Sequence, residues 1–173
     1  MEQKQYFLII KKLSLLFLIL SVSLFVTSNA LDNNINKPKK QKLPTFDDFL
    51  VVKIYKGIPA KVDLSSNRYA KEFRTALREG AKKGPNFAGH YTLIEWGCGS
   101  FCQNHAIVDA KNGKVFFPGK LLTMAGVDFK LTSSLIITDP VNTLSVDVSP
   151  ISYSYYYNWD GKKLILIDSL KIQ

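Results

Sequence analysis

The chain has 173 residues, with 23 lysines and arginines against 14 aspartates and glutamates, a net charge of +9. That length suits one domain once an export signal is set aside. So basic a chain raises nucleic acid as a partner, but none is expected for an exported chain with no recognisable binding module. The excess charge is local: residues 31–83 hold 13 basic and 6 acidic side chains, whereas residues 84–173 hold 7 of each.

Lys4, Lys11 and Lys12 precede an apolar run from Leu13 to Val26, and Ser28-Asn29-Ala30 follows it. A basic start, an apolar stretch and small residues at the last and third-last positions make residues 1–30 a secretory signal peptide, cut after Ala30. The alternative is a retained anchor. Spanning a bilayer takes roughly 20 apolar residues, more than this run supplies unless Tyr6 to Ile10 is added across the lysines. No cysteine stands directly after the run, so acylation is not expected. Periplasmic or secreted localisation follows, in an oxidising compartment where paired cysteines form disulfides.

Residues 31–45 are polar, basic and proline-punctuated, which predicts a disordered tail ahead of a single β-rich domain over 46–173. Phe49 to Tyr55 is rich in β-branched and aromatic residues and is expected to be a short strand. One helix follows, capped by Asp63, Ser65 or Ser66. Its apolar stripe is Tyr69, Phe73, Ala76, Leu77 and Ala81, and Gly84-Pro85 ends it. Arg68, Lys71, Arg74 and Arg78 lie off that stripe. They form a solvated face or, with the tail, a means of attachment to an anionic envelope surface.

Beyond the helix the patterns are all β. Strands are expected at 90–96, 106–110, 115–118, 135–138, 153–159 and 164–168. Asn112-Gly113 and Asp160-Gly161 mark hairpins, the first with both turn residues at positive φ. The expected fold class is α+β: a mostly antiparallel β meander with one amphipathic helix packed on it. Tyr153, Tyr155, Tyr157 and Trp159 share one strand face, expected to be the core side. Ser152, Ser154, Tyr156 and Asn158 make the opposite face polar.

Gly84 to His105 concentrates both cysteines, both histidines and a strand-borne Glu95. The leading reading is a disulfide between Cys98 and Cys102, with Gly97 and Gly99 allowing the chain to curl. A second is zinc held by His90, Cys98, Cys102 and His105, at a ligand spacing uncommon for zinc. A third is a thiol nucleophile. Cys-Gly-Ser-Phe-Cys differs from the papain-type motif by the inserted Phe101, and no histidine follows His105, so papain homology is rejected. Alternation places His90 with Thr92, Ile94 and Trp96, and Glu95 on the other face with Tyr91 and Leu93.

Phe87-Ala88-Gly89-His90-Tyr91, Glu95-Trp96-Gly97-Cys98-Gly99 with Cys102, and Asp109 to Val115 together resemble an uncharacterised family of small exported bacterial proteins. Ser134-Leu135-Ile136 and the Tyr157 to Gly161 hairpin extend the resemblance over residues 68–168. It implies export and a single β-rich domain, and transfers no catalytic residue. The expected function is therefore a non-enzymatic envelope or secreted binding protein, with no metal or other cofactor, for a protein, peptide or glycan ligand. Its contact residues would be His90, Glu95, Phe101, Gln103 and His105. The alternatives are a small hydrolase using His90 and Glu95, with His105 as a further candidate, and an inhibitor or immunity-type protein presenting the 97–104 loop. An enzyme requires His90 and Glu95 in one cleft. An inhibitor requires the loop to protrude.

Overall fold

A computed structural model describes residues 42–100, 102–119, 121–141 and 153–172. The expected signal peptide and most of the tail lie outside these residues. The described fold belongs to one compact unit, Leu43–Gln173. It begins slightly before the expected boundary: the Thr45 N–H and hydroxyl both donate to the Asp48 carboxylate, at 2.9 and 2.7 Å. This pins the start of a 3-10 turn over Phe46–Phe49.

The architecture is α+β and mostly antiparallel. A three-stranded sheet in the order β1-β2-β3 comprises β1 (Tyr91–Gly99), β2 (Cys102–Asp109) and β3 (Val115–Phe116). A four-stranded sheet in the order β4-β5-β6-β7 comprises β4 (Val127–Phe129), β5 (Leu135–Thr138), β6 (Tyr153–Trp159) and β7 (Leu164–Lys171). The helix α1 (Arg74–Ala81) covers the first sheet.

The period-2 alternation of β1 sorts its side chains into two cores. Tyr91 and Leu93, with Ile107 of β2, pack against Ile136 and Trp159 of the second sheet. Ile94, with Ala106, Val108 and Val115, packs beneath Leu77 and Ala81 of α1. Helix, small sheet and larger sheet thus form three layers with β1 and β2 in the middle, so residues 91–94 of β1 and 105–109 of β2 are buried on both faces. Gly80 lets the helix come close: a Cβ there would fall 2.6–2.8 Å from three atoms of Ile94.

Several local expectations give way. Phe49 to Tyr55 is not a strand. Leu50 makes one isolated bridge to Ser133. Beyond it the Val51 and Tyr55 N–H groups bond to Thr132 and Gly89, at 2.8 Å each, so no continuous ladder forms. Val52 is 95% exposed. The helix begins at Arg74, later than Asp63, Ser65 or Ser66 would start it. The Asp63 and Asn67 side chains accept from the N–H of the residue two positions on, at 2.9 and 3.0 Å. Such local bonds draw the backbone into turns instead of helix. Ala70, in those turns, is buried, while Tyr69 is left exposed.

The hairpin at Asn112-Gly113 forms, but only Gly113 takes positive φ, at 80°. Asp109 organises the turn: its carboxylate accepts from the Lys111 N–H and the Asn112 amide, and its carbonyl accepts from the Gly113 N–H. The aromatic face of β6 is split. Tyr157 and Trp159 are buried as expected, whereas Tyr153 and Tyr155 run beyond the cover and stand exposed. The opposite face is not a polar outer surface, because Ser154 and Tyr156 are buried too.

Candidate functional site

β1 and β2 run almost to the tip of their hairpin. Register pairs Glu95 with His105, Trp96 with Asn104 and Gly97 with Gln103, then shifts so that Gly99 faces Cys102. Cys98 and Cys102 are joined by a disulfide, their Cα atoms 5.1 Å apart. This fits the bridged reading. It also removes both sulfurs from the zinc set and from the nucleophile reading, since a metal ligand or nucleophile must be a thiolate.

Below the bridge, the Glu95–His105 rung lies on the face turned towards the second sheet. His105 has no solvent-exposed side-chain surface. Its Nδ1 lies 2.7 Å from the Leu121 carbonyl and its Nε2 lies 2.8 Å from Glu95 Oε2. A carbonyl only accepts, so the hydrogen-bond network places a hydrogen on Nδ1. The Nε2···Oε2 contact then also needs one, carried by the ring or by the carboxyl.

The segment after β3 closes over this rung. Gln103 and Thr123 exchange backbone hydrogen bonds of 2.9 and 3.2 Å, and the Met124 and Ala125 N–H groups donate to Asp139 at 2.8 and 2.7 Å. Gly126 sits beside Gln103 Oε1 and Glu95 Oε2. Among the described residues the Gln103 amide oxygen and the Thr123 hydroxyl are buried with no hydrogen-bond partner.

Above the rung the hairpin is open. Gly97, Cys98, Gly99 and Ser100 are exposed. Among the described residues no heavy atom beyond the chain neighbours comes within 4 Å of a Cβ placed on Gly97 or Gly99. Phe101 lies outside the described residues.

His90 is elsewhere. It precedes the first residue of β1, at the end of the strand away from the bridge, and its ring lies 4.1 Å from that of Tyr91. Its Nε2 is 3.9 Å from Asp109, too long for a hydrogen bond. Burial, reinforced by the Lys111 charge and partly offset by Asp109, holds its pKa below the ordinary 6.5. The structure therefore gathers Glu95, Gln103 and His105 into one site and leaves His90 out. Glu95 is partnered by His105 and not by His90, so the His90/Glu95 pair of the hydrolase reading does not assemble.

The Leu121 carbonyl, which orients His105, has no sequence signal. The Glu95–His105 rung does have one. A bridge from Cys98 to Cys102 folds the hairpin about Ser100, and symmetric counting outward places residue 95 opposite 105.

Comparisons with models of protein families, with curated proteins and with solved structures find nothing that matches this chain.

Proposed function

We propose that this protein is an exported, non-enzymatic binding protein that presents its 97–104 hairpin loop to a partner protein. The observation that carries this reading is the contrast between tip and base. The described tip residues are exposed, while the base is fixed by the disulfide, the Glu95–His105–Leu121 bonds and the Gln103–Thr123 ladder. Ordering a flexible segment on binding costs about 0.5–1.5 kcal/mol per immobilised side chain, so a loop already held in one shape binds at lower entropic cost. Glu95, 42% exposed at its side chain, flanks the loop as a polar contact. The export part rests on the signal-like residues 1–30 and on the resemblance over residues 68–168.

The test is capture of a partner from envelope and culture-supernatant extracts on immobilised protein, followed by its affinity for tip variants. Ser100→Arg puts bulk and charge on the exposed tip and is expected to weaken a specific partner at least about tenfold, roughly 1.4 kcal/mol. A Lys162→Glu/Lys163→Glu control on the β6–β7 turn should bind like the unmodified protein. Equal capture by the Ser100→Arg protein would sink the reading.

A further inference from the structure

A groove of about 450 Å³ runs between α1 and the extended segment 59–62. Pro59, Ala60 and Val62 supply apolar surface, with Ala81 at the floor, and Lys61, Arg78 and Lys82 supply charge. Both walls are fixed. The Ala60 and Asp63 N–H groups bond to the Ala110 and Gly113 carbonyls, at 2.8 and 2.9 Å, and tie the extended segment to the β2–β3 turn. The helix is anchored through buried Leu77 and Ala81.

The charges of the groove are unbalanced. Glu79 is the one carboxylate among these lining residues, and Lys82 already engages it at 2.8 Å. The Lys61 and Arg78 side chains make no hydrogen bond or ion pair among the described residues. The partial negative charge at the C-terminus of α1 favours cations there and opposes an incoming anion, but Lys82 and Lys83 beside it offset that term.

We infer that this groove is a docking site for an acidic peptide segment, an extended chain in which apolar side chains alternate with carboxylates. Charge complementarity selects the acid. A guanidinium such as Arg78 suits a carboxylate because it can donate two parallel hydrogen bonds. The apolar surface selects the peptide: half-buried Pro59, Ala60 and Val62 offer burial to aliphatic side chains, and nothing to a wholly polar phosphate or sugar polymer. The concave form admits a single chain and does not suit a flat bilayer. This inference is independent of the proposal for the 97–104 loop.

Fluorescence anisotropy with the whole protein tests it, using labelled peptides of alternating Glu and Leu or alternating Gln and Leu. The Glu peptide should bind at least about tenfold tighter than the Gln peptide, and its affinity should fall as salt is raised. Lys61→Glu with Arg78→Glu should abolish the difference, while Lys162→Glu with Lys163→Glu should leave it intact. If the double reversal disturbs the circular dichroism spectrum, Arg78→Gln alone replaces it, with a several-fold loss expected. Equal affinity for the two peptides, binding of neither, or the same loss in both double variants would overturn the inference. Tighter binding of inorganic polyphosphate than of the Glu peptide would overturn the choice of a peptide.

Discussion

The His105 side chain has no contact with solvent, so its hydrogen bonds have to come from the protein. Leu121 supplies one and Glu95 the other. Replacing Glu95 by Leu leaves Nε2 buried without a partner, at an expected cost of about 1–3 kcal/mol in unfolding free energy. Glu95→Gln keeps a group that can donate to or accept from the ring and should cost less than about 1 kcal/mol. Urea midpoints of the two variants check this; equal losses would mean that the rung contributes nothing beyond the bulk of the side chain.

His90 gives a pH dependence of definite sign. Burial disfavours its charged form, so its folded pKa lies below the ordinary 6.5 and the unfolded chain takes up the proton first as pH falls. Its contribution to stability is complete above about pH 6.5 and is lost as the pH drops through the interval down to the folded value. The melting temperature of the unmodified protein should therefore fall relative to that of a His90→Gln variant between pH 8 and pH 5. Parallel curves would refute this.

At the scale of elements, sequence periodicity and tertiary packing agree where packing decides the outcome. Leu77 and Ala81 of the predicted stripe are buried under the helix. Tyr69, on the same stripe, is exposed because Asp63 and Asn67 turn the chain before the helix can begin. Propensity arguments also miss the reason for Gly80, a weak helix former in mid-helix. Ala would gain up to about 1 kcal/mol of helix propensity. Its Cβ would nevertheless overlap Ile94, so Gly80→Ala is expected to destabilise by about 1–3 kcal/mol, with partial relief from Ile94→Val. Thermal unfolding of the single and double variants decides between propensity and contact. β7 was legible as far as Asp168 and in fact continues to Lys171. Three-residue β4 was not legible, because a segment that short carries no period.

For the whole molecule, the disulfide closes so short a loop that its chain-entropy contribution is about 2 kcal/mol. Reduction should leave the fold intact, with most of its far-ultraviolet signal retained, and lower the urea midpoint. Unfolding on reduction alone would make the bridge essential to the domain. Intact mass of material recovered from the exported fraction should begin near Leu31 and rise by about two hydrogens on reduction after denaturation.

The sequence by itself determined what neighbouring residues encode. The α+β class, β5, the hairpins at Gly113 and Gly161, the helix end near Gly84 and the Cys98–Cys102 pairing all follow from turn chemistry, short-range periodicity and local spacing. Only the tertiary structure decided which distant groups meet. That Leu121 binds His105, that both faces of inner β1 and of inner β6 are covered, and that Lys61 stands across a groove from Arg78 depend on strand register and layer packing. A one-residue change in register turns every side chain of a strand to the other face, so no local pattern can fix such encounters.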